Sequence, residues 1–416
     1  MAKVNALPNH LALFTDLYEL TMAQVYLEEG LTAEAVFSLF VRRLPQRRNY
    51  LLACGLDTAL DYLHTLRFHE DDLAYLASLG KFSDRFLDWL RDFRFTGTVY
   101  AVPEGTPLFA NEPILEIAAP LPEAQLVETL VMNQIQLQTM LISKAQRVVT
   151  AAGGRSVIDF GARRMHGIDA ALKAARAFYI GGVDASSNVL AGKVYGIPVA
   201  GTMAHSSIQV YGDEIAAFRA FARRYPGTTL LVDTYDTLEG VRRVIDLTRD
   251  TGLEVGAVRL DSGDLLALAK ETRALLDQAG LHEIQILASS ELDEEAVEAL
   301  VSSGAPIDGF GVGTSMGVSS DAPDLDIVYK LCEYDGEGRV KLSANKPVLP
   351  GRKQIFRLSD AGRYARDVIG RAGEELPGQP LLEAVMRDGE RLPAGCVSLE
   401  TARASARERV ARLPDH

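Results

Sequence analysis

Apolar and polar positions follow two rhythms along this chain. Residues 15–30 carry apolar side chains at helical spacing, with Thr15 at the N-cap position and Asp16 and Glu19 in the first turn. Ala35–Leu44 alternates as a strand does, and Leu56–Arg94 predicts amphipathic helices. Gly97–Ile117 reads as a small sheet whose runs are broken by Pro103, Pro107 and Pro113, and 122–152 as a long helix.

The middle of the chain is more regular. Short apolar or β-branched runs end in Gly, Asp or Ser and lead into helical stretches: Val157–Phe160, Ile197–Gly201, Thr229–Val232, Val255–Leu260, Ile284–Ala288 and Ile307–Phe310. Between them lie the helical patterns Leu238–Thr251, Leu265–Gly280 and Asp293–Ser303. Such alternation predicts parallel strands with helical crossovers, in a β/α barrel or a doubly wound sheet. The barrel is the expected form. Beyond Ser319, Ile327–Tyr334 and Arg339–Leu342 flank Asp335-Gly336-Glu337-Gly338, a hairpin signal, and 398–413 reads as an Arg-rich surface helix.

Composition narrows the function classes. The 416 residues imply two or three domains, and 47% hydrophobic with 24% charged residues is a globular composition. With 43 Lys and Arg against 56 Asp and Glu the net charge is −13, which argues against nucleic acid as the main partner but leaves room for a small anionic substrate held by local arginines. Cys54, Cys332 and Cys396 are too few and too scattered for a disulfide framework or a four-cysteine zinc site. The uncharged stretch Val194–Gly212 contains Pro198, His205 and Gln209 and reads as buried protein, not a membrane span. A reducing, cytoplasmic compartment is expected.

The polar motifs cluster just after the strand runs. Arg259-Leu260-Asp261-Ser262-Gly263-Asp264 sets Arg259 and Asp261 on one side of a strand end, a pairing suited to a polyol phosphate or a Mg²⁺-bound diphosphate. Asp264 and Ser262 can equally cap the next helix, as Asp236 can cap the helix near Leu238. Asp233 directly follows Leu-Leu-Val, where a carboxylate is costly unless paired or coordinating; with Asp159 and Asp261 it makes three strand-end carboxylates. Gly309-Phe-Gly-Val-Gly-Thr-Ser315 reads as a phosphate-cradling loop ahead of a helix. Asp159-Phe-Gly-Ala-Arg-Arg164 offers a ring beside two guanidinium groups, fit for an aromatic acid or for a core Phe with surface arginines. His205, in Gly201-Thr-Met-Ala-His-Ser206, reads as a structural histidine, a general base or a phosphate acceptor.

In this order these motifs resemble the nicotinate phosphoribosyltransferase family. The resemblance extends over Thr15-Asp-Leu-Tyr-Glu-Leu-Thr-Met22, the segments 159–164, 201–206, 233–236, 259–264 and 310–314, and Lys341-Leu-Ser…Pro350-Gly-Arg-Lys-Gln354. It implies transfer of phosphoribosyl from phosphoribosyl pyrophosphate to the ring nitrogen of nicotinate, giving nicotinate mononucleotide and pyrophosphate at the entry of NAD salvage. It further implies ligase-type coupling to ATP hydrolysis through a phosphohistidine at His205. The implied fold is an irregular β/α barrel with a flanking α+β domain built from both chain ends: residues 1–118, a catalytic barrel over 119–334, and 335–416 returning to the flank.

The resemblance also implies a homodimer with shared sites, Tyr18 of the neighbouring subunit stacking on nicotinate opposite Phe160. Arg163 would contact the substrate or product, with Thr202 and Ser206 lining the site beside His205. Arg259, Asp233 and Asp261 would lie near the ribose and diphosphate, the two aspartates as Mg²⁺ ligands. Gly311, Gly313 and Thr314 would hold the 5′-phosphate, and Lys330 and Arg42 would serve the diphosphate and ATP region. Some family members carry a cysteine-rich metal knuckle near the C-terminus, which Cys332 and Cys396 alone cannot build. Nicotinamide and quinolinate phosphoribosyltransferases are the neighbouring enzyme readings, the Tyr-Glu-Leu-Thr-Met and Ala-Arg-Arg segments favouring the single acid. A non-catalytic nucleotide-binding barrel is the reading from another class.

Overall fold

The computed structural model describes residues 10–342 and 348–414, so Ser343 of the Lys341-Leu-Ser motif lies outside the described residues. The chain divides into two compact units, one of residues 141–323 and one of residues 1–140 with 324–416.

Six parallel strands form the sheet of the 141–323 unit, in the order Ala185–Ser186, Ser156–Asp159, Gly309–Val312, Gln285–Ser289, Val255–Leu260, Thr228–Leu231. Leu230, Leu231, Val258, Leu260, Ile286 and Val312 are all fully buried. Helices cover such strands on the outside and side chains fill the inside, so they read as continuous apolar runs. The strand that comes first in this unit pairs with the last, in the register Asp159↔Val312, as a closing ring requires. The ring is open on one side. There the expected strand Ile197–Gly201 is reduced to a single bridge, Ser186 to Val199, because Pro198 has no N–H to give a ladder.

The helices Thr237–Thr251, Leu265–Gln278 and Glu294–Ser302 return the chain between strands. Asp236, Asp264 and Asp293 cap them, accepting from the backbone N–H of Glu239 (2.8 Å), Ala267 (3.1 Å) and Ala296 (2.9 Å). This settles the capping alternative for Asp236 and Asp264. One close approach requires glycine: a Cβ on Gly240 would lie 2.1 Å from the carbonyl oxygen of Val232. Buried in the same unit, the Lys144 ammonium sits between Glu294 (2.5 Å) and Asp321 (2.9 Å), with Arg147 3.3 Å from Glu294.

The other unit carries a seven-stranded antiparallel sheet in the order Glu337–Gly338, Ile327–Tyr334, Glu34–Val41, Pro113–Pro120, Thr98–Ala101, Glu383–Arg387, Glu390–Arg391. Its hairpin returns at Glu337–Gly338 and not over 339–342, because Asp335 (φ 53°) and Gly336 (φ 73°) close it as a two-residue turn. Leu56–Arg94 becomes three helices, Leu56–Thr65, Glu70–Ser78 and Asp84–Asp92, and the tail helix is Leu399–Ala411.

Two expectations change near the N-terminus. The first helix, Leu17–Glu28, has Asp16 at its N-cap, while the Thr15 hydroxyl donates to Glu19. The long helix predicted over 122–152 is split into Leu121–Leu126 and Glu128–Ala151. Glu19 accepts the backbone N–H of Thr129 (3.0 Å) and its hydroxyl (2.6 Å), so a carboxylate 110 residues away holds the new helix start. Among the described residues no helix is long and apolar enough to cross a membrane.

Candidate active site

The carboxyl ends of the parallel strands gather most of the polar residues singled out in the sequence. Asp233 follows the Thr228–Leu231 strand at Val232; one of its oxygens, Oδ2, accepts the backbone N–H of Asp261 (2.9 Å) and the Ser262 hydroxyl (2.6 Å). The other, Oδ1, is buried and has no hydrogen-bond partner. Asp261, just past Val255–Leu260, accepts the Ser289 hydroxyl on Oδ1 and turns Oδ2 toward His205 Nε2 at 3.6 Å and Arg259 Nη2 at 3.9 Å.

Arg259 is largely enclosed. It donates from Nη1 to the Thr202 hydroxyl across the open side of the ring, while its Nε is buried with no acceptor. Burial pushes its guanidinium below the ordinary value; Asp261 and Asp233 oppose that, and Arg163 nearby adds to it. An arginine stays charged through such a shift, so the pocket holds a cation whose own hydrogen bonds are incomplete.

His205 opens the helix His205–Tyr211 and its Nδ1 lies 3.1 Å from the Thr234 hydroxyl. Thr202 and His205 are half-buried, and Ser206 is exposed in the same first turn. Phe160 donates its backbone N–H to Val312 (2.8 Å), which seats the Phe160–Gly161 turn on the last strand. Its ring is half-exposed, and Arg163 is exposed in the short 3-10 turn that follows. Gly311 is buried, whereas Gly313 and Thr314 lie toward solvent at the strand end. The helix after that loop is a single turn, Thr314–Gly317, so an anion there would rest on loop N–H groups and not on a long helix dipole.

Asp159 does not join the ring of carboxylates that the sequence suggested. It is fully buried, and its oxygens are committed to the Gly161 N–H (2.7 Å) and the Ser186 hydroxyl (2.7 Å). Burial pushes its carboxyl up, and those two donors hold it down. Two contributors escaped the sequence reading: Thr234 beside His205 and Ser289 beside Asp261. The signal for Ser289 was available, since it ends a strand run as the recognised residues do.

Tyr18, Arg42 and Lys330 belong to the other unit. Tyr18 is 45% exposed, and burial together with Glu128 and Glu19 raises its hydroxyl well above the usual value. Lys330 lowers the Glu128 carboxyl against the burial that raises it. Arg42 keeps a buried Nε with no acceptor.

Asp233 Oδ1 and Asp261 Oδ2 fit a hard cation. Mg²⁺ commonly takes one or two carboxylates and completes its shell with substrate phosphates and water. The three-residue cluster of metal-binding type among the described residues lies elsewhere, at His10, Asp71 and Asp72. There Asp72 is already bonded to His10 and to the His69 N–H. A cavity of about 670 Å³ bounded by Ser156, Gln285 and Asp308 opens at the amino ends of the strands, away from these side chains.

A curled parallel sheet with cations, carboxylates and a glycine loop at its carboxyl ends sets these side chains where β/α-barrel enzymes carry their active sites. Residues 13–136 match the family model of the nicotinate phosphoribosyltransferase (NAPRTase) N-terminal domain, and residues 155–347 that of the NAPRTase family. Nicotinate phosphoribosyltransferase pncB2 of Mycobacterium tuberculosis is 55% identical over 405 residues, 97% of this chain and 88% of the relative. The Bacillus subtilis nicotinate phosphoribosyltransferase is 42% identical over 85% of this chain and 74% of its own. The crystal structure of human nicotinic acid phosphoribosyltransferase superposes with a TM-score of 0.85 at 30% identity, over 96% of this chain and 94% of that one. The chain belongs to the nicotinate phosphoribosyltransferase family, and its function is that of a nicotinate phosphoribosyltransferase.

Proposed function

We propose that the chain transfers the phosphoribosyl group of phosphoribosyl pyrophosphate to nicotinate in NAD salvage, with Mg²⁺ at Asp233 and Asp261 and with ATP hydrolysis coupled through a phosphoryl group on His205. One observation carries this reading: Arg259 Nε and Asp233 Oδ1 are buried without partners beside Asp261 and His205. Buried polar atoms are normally hydrogen-bonded to protein, water or an ion, so an open cation and an open carboxylate oxygen side by side at the strand ends mark a place for a charged ligand.

The nicotinate ring nitrogen attacks ribose C1 as the bond from C1 to the pyrophosphate oxygen breaks. The electron pair leaves with pyrophosphate, and the positive charge ends on the pyridine nitrogen, so no proton is transferred. Phe160 stacks the ring and Arg163 takes its carboxylate. Arg259 stabilises the departing charge, and Asp261 faces the developing oxocarbenium ion. Asp233 and Asp261 would hold Mg²⁺, which when bound would supply further positive charge for the leaving diphosphate. Gly313 and Thr314 lie at the 5′-phosphate, with Thr202 and Ser206 beside the diphosphate. In the coupled step an imidazole nitrogen of His205 attacks the γ-phosphorus, ADP leaves, and water later takes the phosphoryl group.

A homodimer sharing its sites belongs to the same proposal. Exposed apolar side chains support it: Leu17, Tyr18 and Val25 on the first helix and, in the other unit, Val189, Val194 and Val210.

The test is turnover of nicotinate against nicotinamide with phosphoribosyl pyrophosphate and Mg²⁺, with and without ATP, in the wild type and in His205→Ala. The expected outcome is preference for nicotinate and ATP stimulation, the stimulation disappearing in His205→Ala while turnover at saturating phosphoribosyl pyrophosphate remains. ATP stimulation unchanged in that variant overturns the phosphohistidine. Equal or better use of nicotinamide overturns the substrate.

A further inference from the structure

Gly311 occupies an ordinary strand position. It pairs with Ser289 on one side and Ile158 on the other, within Gly309–Val312. It is not among the residues with positive φ, so the backbone there does not require glycine. Space does. A Cβ at 311 would stand 2.5 Å from Phe160 Cε2 and 2.6 Å from Phe160 Cδ2, and 3.3 Å from the Ser289 Cβ. The edge of the Phe160 ring therefore rests directly on the Gly311 backbone, at a distance no side chain could share.

The neighbouring glycines behave differently. A Cβ at 313 would meet only the Phe160 carbonyl group, its oxygen at 3.4 Å and its carbon at 3.7 Å, both ordinary contacts. Gly313 is also the one nearer solvent, whereas Gly311 is buried beneath the ring. The two glycines of the loop are thus divided in role: one is open to a ligand and the other is covered by an aromatic side chain.

We propose that Gly311 is a positioning residue for the pyridine acid, leaving room for the edge of the Phe160 ring against the strand end, and that it makes no contact with phosphate. This rests on the reading of Phe160 as the stacking platform for nicotinate, and it reassigns Gly311 from the phosphate loop to that platform. Adding one methyl group at 311 pushes the ring outward by about the overlap of the two atoms, roughly 1 Å against an ordinary contact distance. A displacement of that size in a substrate-positioning group costs up to about a hundredfold in rate.

The experiment compares Gly311→Ala, Gly313→Ala, Phe160→Ala and the double variant Gly311→Ala/Phe160→Ala, with KM for nicotinate, KM for phosphoribosyl pyrophosphate and kcat measured separately. Gly311→Ala is expected to raise the nicotinate KM about tenfold or more while the phosphoribosyl pyrophosphate KM moves less than about threefold. Gly313→Ala is expected to do the reverse. In the double variant the Gly311 effect disappears, because the ring it displaces is gone. If Gly311→Ala raises the phosphoribosyl pyrophosphate KM as much as the nicotinate KM, or if the two single effects multiply, the proposal falls. If Gly311→Ala does not fold, recovery of folding in the double variant supports the contact, and failure of both shows that the glycine serves Ser289 instead. A Phe160→Ala enzyme with wild-type nicotinate KM removes the stacking platform itself, an outcome separate from failure at Gly311.

Discussion

The buried cation Lys144 offers a test of how the 141–323 unit is held together. Its side chain is 1% exposed and touches two carboxylates, Glu294 and Asp321, that are themselves 11% and 4% exposed. Glu294 opens the helix Glu294–Ser302, Asp321 follows the turn Thr314–Gly317, and Lys144 projects from Glu128–Ala151, so one ammonium ties three segments. Lys144→Met keeps the hydrocarbon stem but withdraws the charge, leaving Arg147 as the cation nearest Glu294. Breaking a buried ion pair from one side costs about 3–5 kcal/mol. At about 2–4 °C per kcal/mol for a unit of this size, the midpoint should drop by about 6–20 °C. Calorimetric melting at pH 7 measures it. The triple variant Lys144→Met/Glu294→Gln/Asp321→Asn should recover most of the loss, because no buried carboxylate then lacks its cation. The exposed Lys270→Met should stay within about 0.5 kcal/mol of wild type. A Lys144→Met protein within about 1 kcal/mol of wild type, or a triple variant no better than the single one, refutes the reasoning.

Asp261→Asn keeps an acceptor for Ser289 but removes the charge beside His205 and Arg259, so kcat should fall by about a hundredfold or more with the melting temperature little changed. Wild-type rates would remove Asp261 from the chemistry. Burial pushes the Glu19 carboxyl up to about 7, from an ordinary 4.5. The folded state thus holds the proton more firmly than the unfolded one, and this contribution to stability, complete below about 4.5, is lost as pH rises through 7, by at most about 1.4 kcal/mol per pH unit. Glu19→Gln should flatten that part of the stability curve, and an unchanged slope would show that another group titrates.

Much of the 141–323 unit was legible because its signals are local. Val255–Leu260 is bounded as its apolar run predicts, and Asp236 and Asp264 cap helices as their spacing allows. Motifs that end strands lie together because parallel strands bring all their carboxyl ends to one side. Contacts between distant segments were not legible. Nothing in the sequence around Asp159 shows that Ser186 and Gly161 would occupy both its oxygens, or that Glu19 would begin a helix at Thr129. The Ile197–Gly201 run has the composition of a strand, yet Pro198 leaves it a single bridge.

That missing stave has a consequence for His205. The segment that carries it, between Ala200 and the Thr228–Leu231 strand, joins the sheet only at its start, where Ser186 exchanges backbone bonds with Pro198 and Ala200. Across the opening, the guanidinium of Arg259 grips the Thr202 hydroxyl and the Thr234 hydroxyl meets His205 Nδ1, two side-chain latches where neighbouring strands share several backbone rungs. Asp233 and Asp261, by contrast, are bolted to the frame through backbone and serine donors. The histidine therefore rides on a tethered flap facing fixed acids, and amide hydrogens of residues 201–212 should exchange with solvent well before those of Val255–Leu260.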